Sequence, residues 1–295
     1  MRVENKTIKL LCQWGICDEK AIKIFSPRLR DREDISVMKC HKSGVIFLST
    51  SKHMEISHYA EKTAFSLYYK TKTRKEALLS YYEDDSRRQN QFQDLIRNST
   101  WLDIGTGVGG ILDLLSPFAK KAVAVEPREK MAKLLRKEGY EIYNDVSKVP
   151  FNEFGVVTFF HTLEHMTEPL KVLKGAYQKM AKDAKIVVEI PHANDFLFSF
   201  LNVEDFKNFT FWSEHLVLHT RQSLTAFLEK AGFKNIVIKG FQRYPLANHL
   251  HWLREGKPHG QILWSALRTN ELDTAYSNLL KEINMTDTLV AIAEK

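Results

Sequence analysis

Cysteine is scarce in this sequence: three among 295 residues, an odd number that builds no disulfide framework. A reducing, cytoplasmic setting is therefore the expectation. No apolar run approaches the ~20 residues that a membrane-spanning helix needs. The opening Met1-Arg-Val-Glu-Asn-Lys lacks the apolar core of a secretory signal. Internal repeats and low-complexity tracts are missing too. The net charge is +7, yet the lysines are spread along the chain rather than gathered with aromatics. That reads as a solvated basic surface, which argues against nucleic acid as a partner and allows an acidic small molecule. The remainder, 44% hydrophobic and 27% charged, suits a globular enzyme long enough to bury a large core. Oligomeric state is not readable from it.

What the chain does have is Trp101-Leu-Asp-Ile-Gly-Thr-Gly-Val-Gly-Gly110. Trp101 to Ile104 reads as a buried parallel strand. Gly105, Gly107, Gly109 and Gly110 let the backbone turn sharply and approach a ligand, and Val108 to Leu115 has the apolar spacing of a helix. Glu126, at the end of Ala122-Val-Ala-Val-Glu126-Pro127, stands about 20 residues on, where a carboxylate accepts ribose hydroxyls. These residues predict a nucleoside-cofactor site. Gly105-x-Gly107-x-x-Gly110 also fits the dinucleotide pattern, so a nicotinamide oxidoreductase is a rival reading. Asp103 weighs against it, because a carboxylate there repels a pyrophosphate and suits an ammonium or sulfonium group.

Asp103-Ile-Gly105-Thr106-Gly107-Val-Gly109 resembles the first motif of the class I S-adenosylmethionine-dependent methyltransferases, and the segment 242–259 resembles the tail of bacterial members associated with surface-polysaccharide synthesis. The resemblance spans roughly residues 88 to 245 and the final strand. It implies cofactor roles for Asp103, Gly105, Thr106, Gly107 and Gly109, for Glu126 with Pro127 at the ribose, and for Asp145 at the adenine. It also implies that His161 and Leu163, in the loop after the fourth strand, lie against the adenosine. Arg88, in Asp85-Ser-Arg-Arg-Gln89, reads either as a partner for the methionine carboxylate or as part of a solvated basic helix face.

The expected fold is α/β, a doubly wound, seven-stranded, mostly parallel sheet with a small N-terminal β subdomain and a C-terminal helical insertion. Strands are expected at 100–104, 121–125, 140–144, 156–160, 185–190, 234–240 and 286–294, the last two forming an antiparallel edge. The organisation reads as a degenerate zinc-ribbon-like subdomain (1–55), a helical cap (56–98), a core (99–245 with 285–295) and a helical insertion (246–284).

Two patterns raise metal. Cys12-x4-Cys17 and Cys40-His41-Lys-Ser43-Gly44 look like a worn copy of the zinc ribbon that some sugar methyltransferases carry, with serine at the fourth ligand position. A metal-free subdomain with buried thiols is the preferred reading, and zinc the less favoured one. His161-Thr-Leu-Glu164-His165 also spells an inverted zinc-protease motif. It follows the strand-like Val156 to Phe160 and precedes Pro169, so it reads as a strand-to-helix loop, with Glu164 and His165 capping or bracing the next helix. No metal is assigned to the site.

For catalysis the candidate is Ser213-Glu214-His215-Leu216, which resembles the Glu-His-Leu segment that faces substrate in this family. His215 would take the acceptor's proton, with Glu214 orienting it. Substrate contacts are expected from His192 and Asn194 beyond the fifth strand, from Tyr244 and His249 in the dense segment 242–259, and from Tyr82 among the tyrosines 59, 68, 69, 81 and 82. The reading that results is methyl transfer from S-adenosylmethionine to a small polar acceptor, a nucleotide-linked sugar or saccharide. Its rivals are an NAD-dependent oxidoreductase, a zinc hydrolase and a non-catalytic S-adenosylmethionine-binding protein.

Overall fold

Short apolar runs between helical ones form the central sheet, because strands buried on both faces need near-continuous apolar side chains. The computed structural model describes residues 5–54 and 73–295. Eleven strands are named among them: β1 Ile22–Ser26, β2 Val37–Cys40, β3 Ile46–Leu48, β4 Thr100–Ile104, β5 Lys121–Val125, β6 Glu141–Tyr143, β7 Phe154–Phe160, β8 Met180–Pro191, β9 Val217–Leu218, β10 Lys234–Phe241 and β11 Thr288–Glu294.

Seven of them form one sheet in the order β10-β11-β8-β7-β4-β5-β6. The pairs β4/β5, β4/β7, β5/β6 and β7/β8 are parallel, while β11 is antiparallel to both β8 and β10. This is the expected doubly wound sheet. The expected antiparallel edge is there too: β10 and β11 pair antiparallel at one side of the sheet, with β11 against β8 and β10 outermost. Helices Gly110–Leu115, Glu129–Lys137, Pro169–Lys179 and Arg221–Ala231 follow β4, β5, β7 and β9. The order reverses beside β4, and in such sheets ligands bind beyond the carboxyl ends of the strands at that point.

The smaller sheet, β1-β2-β3-β9, is antiparallel throughout. Its fourth strand comes from residues 217–218, far along the chain, so this sheet is not built from residues 1–55 alone. Those residues are not all β either, since a helix, Lys6–Gln13, precedes β1. Asn5 caps that helix through Thr7 N and also donates to the carbonyls of Leu48 and Leu216. The small sheet thus grips the segment carrying Glu214 and His215. Asp31 reinforces the grip by accepting from Ser213 N and Oγ, at 3.0 and 2.6 Å.

Of residues 56–98, the described part is the helix Arg74–Ile96. Tyr59, Tyr68 and Tyr69 lie outside the described residues. The stretch 246–284 holds Leu246–Glu255, Gly260–Leu263 and Asn270–Glu282 as α-helices.

Candidate active site

A cavity of about 1470 Å³ opens at the carboxyl ends of β4, β5, β7 and β8. Its first end is the glycine turn. Gly105 has φ +83, and a Cβ there would meet Thr162 Cγ2 at 2.1 Å, so only glycine fits. Asp103 at the end of β4 is 1% exposed. A relay fixes one of its oxygens: Trp101 Nε1 donates to Thr158 Oγ1, whose hydroxyl donates to Asp103 Oδ1 at 2.6 Å. Asp103 Oδ2 is buried without a partner. Burial pushes the Asp103 carboxyl up to about 6, against the lowering effect of the Thr158 and Thr106 hydroxyls.

Glu126 follows β5, also buried, and accepts from Gly107 N at 3.0 Å. It accepts as well from Arg128 N and Nε, at 2.9 and 2.8 Å. Thr106, Gly107, Pro127 and Asp145 line the same end. Asp145 accepts from Ser147 N and Oγ, which lowers its carboxyl. Gly109, at φ +78, starts the helix Gly110–Leu115 and does not line the cavity.

The far end is built from histidines. His161 (φ +48) sits between two carboxylates, its Nδ1 3.2 Å from Glu164 Oε1 and its Nε2 3.3 Å from Glu189 Oε1. Burial and Arg243 oppose its charged form, but the hydrogen bonds to Glu164 and Glu189 prevail and raise it. Glu164 is pushed down to about 2, because His161, His165 and His215 outweigh its burial. His165 Nδ1 donates to the Glu214 main-chain oxygen at 2.7 Å. The His165 and His215 rings lie 5.1 Å apart. Burial and the neighbouring His165 push His215 down to about 3. His192 and His249 are buried and driven to about 4. Each is pinned through Nδ1, His192 by the Thr286 carbonyl and His249 by Tyr276 Oη. Tyr244 lines this end as well.

Several expectations need correction. Arg88 reaches the cavity, but its guanidinium already bonds Glu189 at 2.7 and 3.0 Å and Asp85 at 3.0 Å, so a methionine carboxylate meets no free arginine there. Leu163 is 1% exposed and packs into the main core instead of lining the cavity. Tyr82 is 59% exposed, and its neighbour Tyr81 is the tyrosine that lines the cavity. Asn194 donates to the Asn284 carbonyl at 2.7 Å and is absent from the lining. The base expectation for His215 also changes. A base working near neutral pH needs a matching pKa, and burial leaves this imidazole neutral with Nδ1 unpartnered. Glu214 is buried, and its main-chain carbonyl holds His165.

Sequence reasoning missed Glu189, the hub joining Arg87, Arg88 and His161. A single acid inside the apolar run Ile186-Val-Val-Glu189-Ile was the available signal. The cysteine pattern comes together only in part. Cys17 Sγ lies 3.2 Å from Ser43 Oγ, Cys17 is raised to about 12 by burial, and His41 is exposed.

The sequence pattern of the family described as the methyltransferase domain matches residues 74–238, more than half of the chain. The chain belongs to this methyltransferase family. Several solved structures are similar to it. An S-adenosylmethionine-dependent methyltransferase of Thermotoga maritima is 18% identical over 74% of this chain and 92% of that one, with a TM-score of 0.50. One of Archaeoglobus fulgidus is 18% identical over 76% and 95%, TM-score 0.48. The plantazolicin methyltransferase, solved with S-adenosylhomocysteine, is 12% identical over 75% and 91%, TM-score 0.48. The cofactor of this methyltransferase is S-adenosylmethionine, and the oxidoreductase and zinc-hydrolase readings fall away. No helix among the described residues of the methyltransferase is long and apolar enough to cross a membrane.

Proposed function

We propose that this methyltransferase methylates a hydroxyl of a small polar acceptor, with a nucleotide-linked sugar or saccharide as the class its cavity suits. The observation that carries the cofactor half is Asp103 Oδ2, buried and without a donor beside the glycine turn. An unpartnered carboxylate oxygen inside a protein is costly, and a cationic amino group is its natural partner. Bound there, S-adenosylmethionine supplies a methyl group on a positively charged sulfur.

The chain's own residues do the rest. Asp103 takes the ammonium of the methionine part. Glu126 takes the ribose hydroxyls, exchanging Arg128 for them, with Pro127 beside it and Asp145 near the adenine amine. Gly105, Thr106 and Gly107 let the backbone close on the ligand, and His161 stands between this end and the acceptor. At the far end His192, Tyr244 and His249 offer hydrogen-bonding groups to a hydroxylated molecule. Exposed Lys9 and Lys174 rim the cavity and favour a phosphate-bearing acceptor, while Lys6 pairs with Glu168 and Lys171 acts on Asp145. Holding the two reactants together is the larger part of the task.

The test is calorimetric titration with S-adenosylhomocysteine, with NAD as control, followed by a mass-shift screen of sugar nucleotides. Micromolar binding of the first and a methyl gain on a sugar nucleotide is the expected pair of results. Failure to bind sinks the cofactor assignment. Methylation of amines alone sinks the acceptor class.

A further inference from the structure

Glu164, His165 and His215 each bring one ligand atom, a carboxylate oxygen or an imidazole nitrogen, within 4.8 Å of one another. They come from two segments fastened by the main-chain hydrogen bond from Leu216 N to Glu164 O, 2.9 Å. Among the described residues this is the one such group of three, and the cysteines do not form another.

One surrounding contact turns a lone pair toward the group. A carbonyl only accepts, so His165 Nδ1 carries the proton it gives to Glu214 O, and the lone pair falls on Nε2, 3.9 Å from Glu164 Oε1. Glu164 is 1% exposed, and its Oε2 has no hydrogen-bond partner. The buried Nδ1 of His215 has none either. Buried polar atoms are normally satisfied, so this concentration of orphans around one carboxylate calls for a ligand.

We infer that Glu164, His165 and His215 bind a divalent first-row transition cation at the acceptor end of the cavity. Two imidazoles and one carboxylate suit such a cation better than Mg2+ or Ca2+, which want oxygen ligands. The Glu214 carbonyl on His165 Nδ1 is the outer contact that usually orients a metal-binding histidine. Three protein ligands leave coordination positions open toward the cavity, which His165 and His215 line. For its role the inference rests on the methyltransferase reading above. There the cation takes an acceptor hydroxyl oxygen as its next ligand and lowers its pKa; the proton passes to water, and the oxygen's electron pair forms the new bond to the methyl carbon as the carbon–sulfur bond of S-adenosylmethionine breaks and its electron pair leaves on the sulfur of S-adenosylhomocysteine.

The test uses tag-free, EDTA-stripped protein titrated with Co2+ and Zn2+, with S-adenosylhomocysteine calorimetry on the same samples. About one Co2+ should bind, with ligand-field bands and no thiolate charge-transfer band. His165→Gln and His215→Gln should each weaken it by about 100-fold or more while S-adenosylhomocysteine still binds. X-ray absorption of the wild-type Zn2+ protein should give nitrogen and oxygen neighbours at about 2.0–2.2 Å and no sulfur, which does not depend on either variant folding. Stripped protein that binds S-adenosylhomocysteine but neither metal overturns the inference and leaves the methyltransferase reading standing. Sulfur neighbours, or Co2+ affinity unchanged in both variants, overturn it as well. Loss of S-adenosylhomocysteine binding by the wild type strikes the cofactor reading instead.

Discussion

The two ends of the cavity are made in opposite ways. The cofactor end is carboxylates and backbone supplied by neighbours in sequence, with Asp103, Gly105 and Gly107 inside one strand and turn and Glu126 at the end of the adjacent strand. The acceptor end is histidines from separated segments: His161 and His165 after β7, His192 after β8, His215 before β9 and His249 beyond β10. Their positions depend on long-range contacts, several of them through the small sheet. A local site tolerates change elsewhere in the chain, whereas an assembled one does not. Substitutions at the two ends should therefore separate binding from turnover.

The largest separation is expected at His215. His215→Ala should cut turnover by about 100-fold or more, the scale of losing a ligand of the cation inferred to activate the acceptor hydroxyl. Affinity for S-adenosylhomocysteine should hold within about twofold, since His215 stands at the other end. Kinetics on an acceptor found by the mass screen, with calorimetry alongside, measures both. A matching loss of affinity would merge the two ends into one unit.

Asp103→Asn is the converse. The amide keeps the shape but loses the charge, so S-adenosylhomocysteine affinity should drop by about 10- to 100-fold, the worth of a charge-assisted hydrogen bond. Unchanged affinity would break the comparison from its other side. The same residue gives a pH signature. Its carboxyl sits at about 6 against an ordinary 3.8, so the folded protein holds that proton more tightly than the unfolded chain. Stability from this source is present at low pH and is lost as pH rises through about 6. Cofactor affinity runs the other way, falling about tenfold per pH unit below 6 as the carboxylate is protonated. Calorimetry at pH 5 and pH 7 checks the trend, and Asp103→Asn should abolish it.

This asymmetry also decided what was legible in the sequence. β4 and β5 fall at the predicted residues because a buried strand and its glycine turn are stated by consecutive side chains. β8 starts earlier than predicted, at Met180, which pairs with Phe154 before a register shift; Lys182 and Asp183 lie in that irregular stretch, and regular pairing resumes at Lys185. The acceptor end was legible only as separate histidines. Nothing local says that Glu164 and His215 meet, because the bond between their segments spans residues 164 and 216. Arg88 misled for the same reason, since its partner Glu189 lies 101 positions away.

The smallest effect probes the small sheet's hold on the acceptor end. Asn5 joins three elements, capping the helix Lys6–Gln13 and donating to Leu48 O at 3.4 Å and Leu216 O at 3.3 Å. Asn5→Ala removes a helix cap and the side-chain donor to Leu48 O and Leu216 O, the latter still accepting from Leu48 N, a loss of about 1–2 kcal/mol. In a chain of this size that corresponds to a fall of a few degrees in Tm. Because Leu216 follows His215 directly, turnover should fall by more than cofactor affinity does, by a factor of a few. Differential scanning calorimetry with paired kinetics measures it. Equal losses of turnover and affinity would mean that the small sheet supports the whole cavity rather than its histidine end.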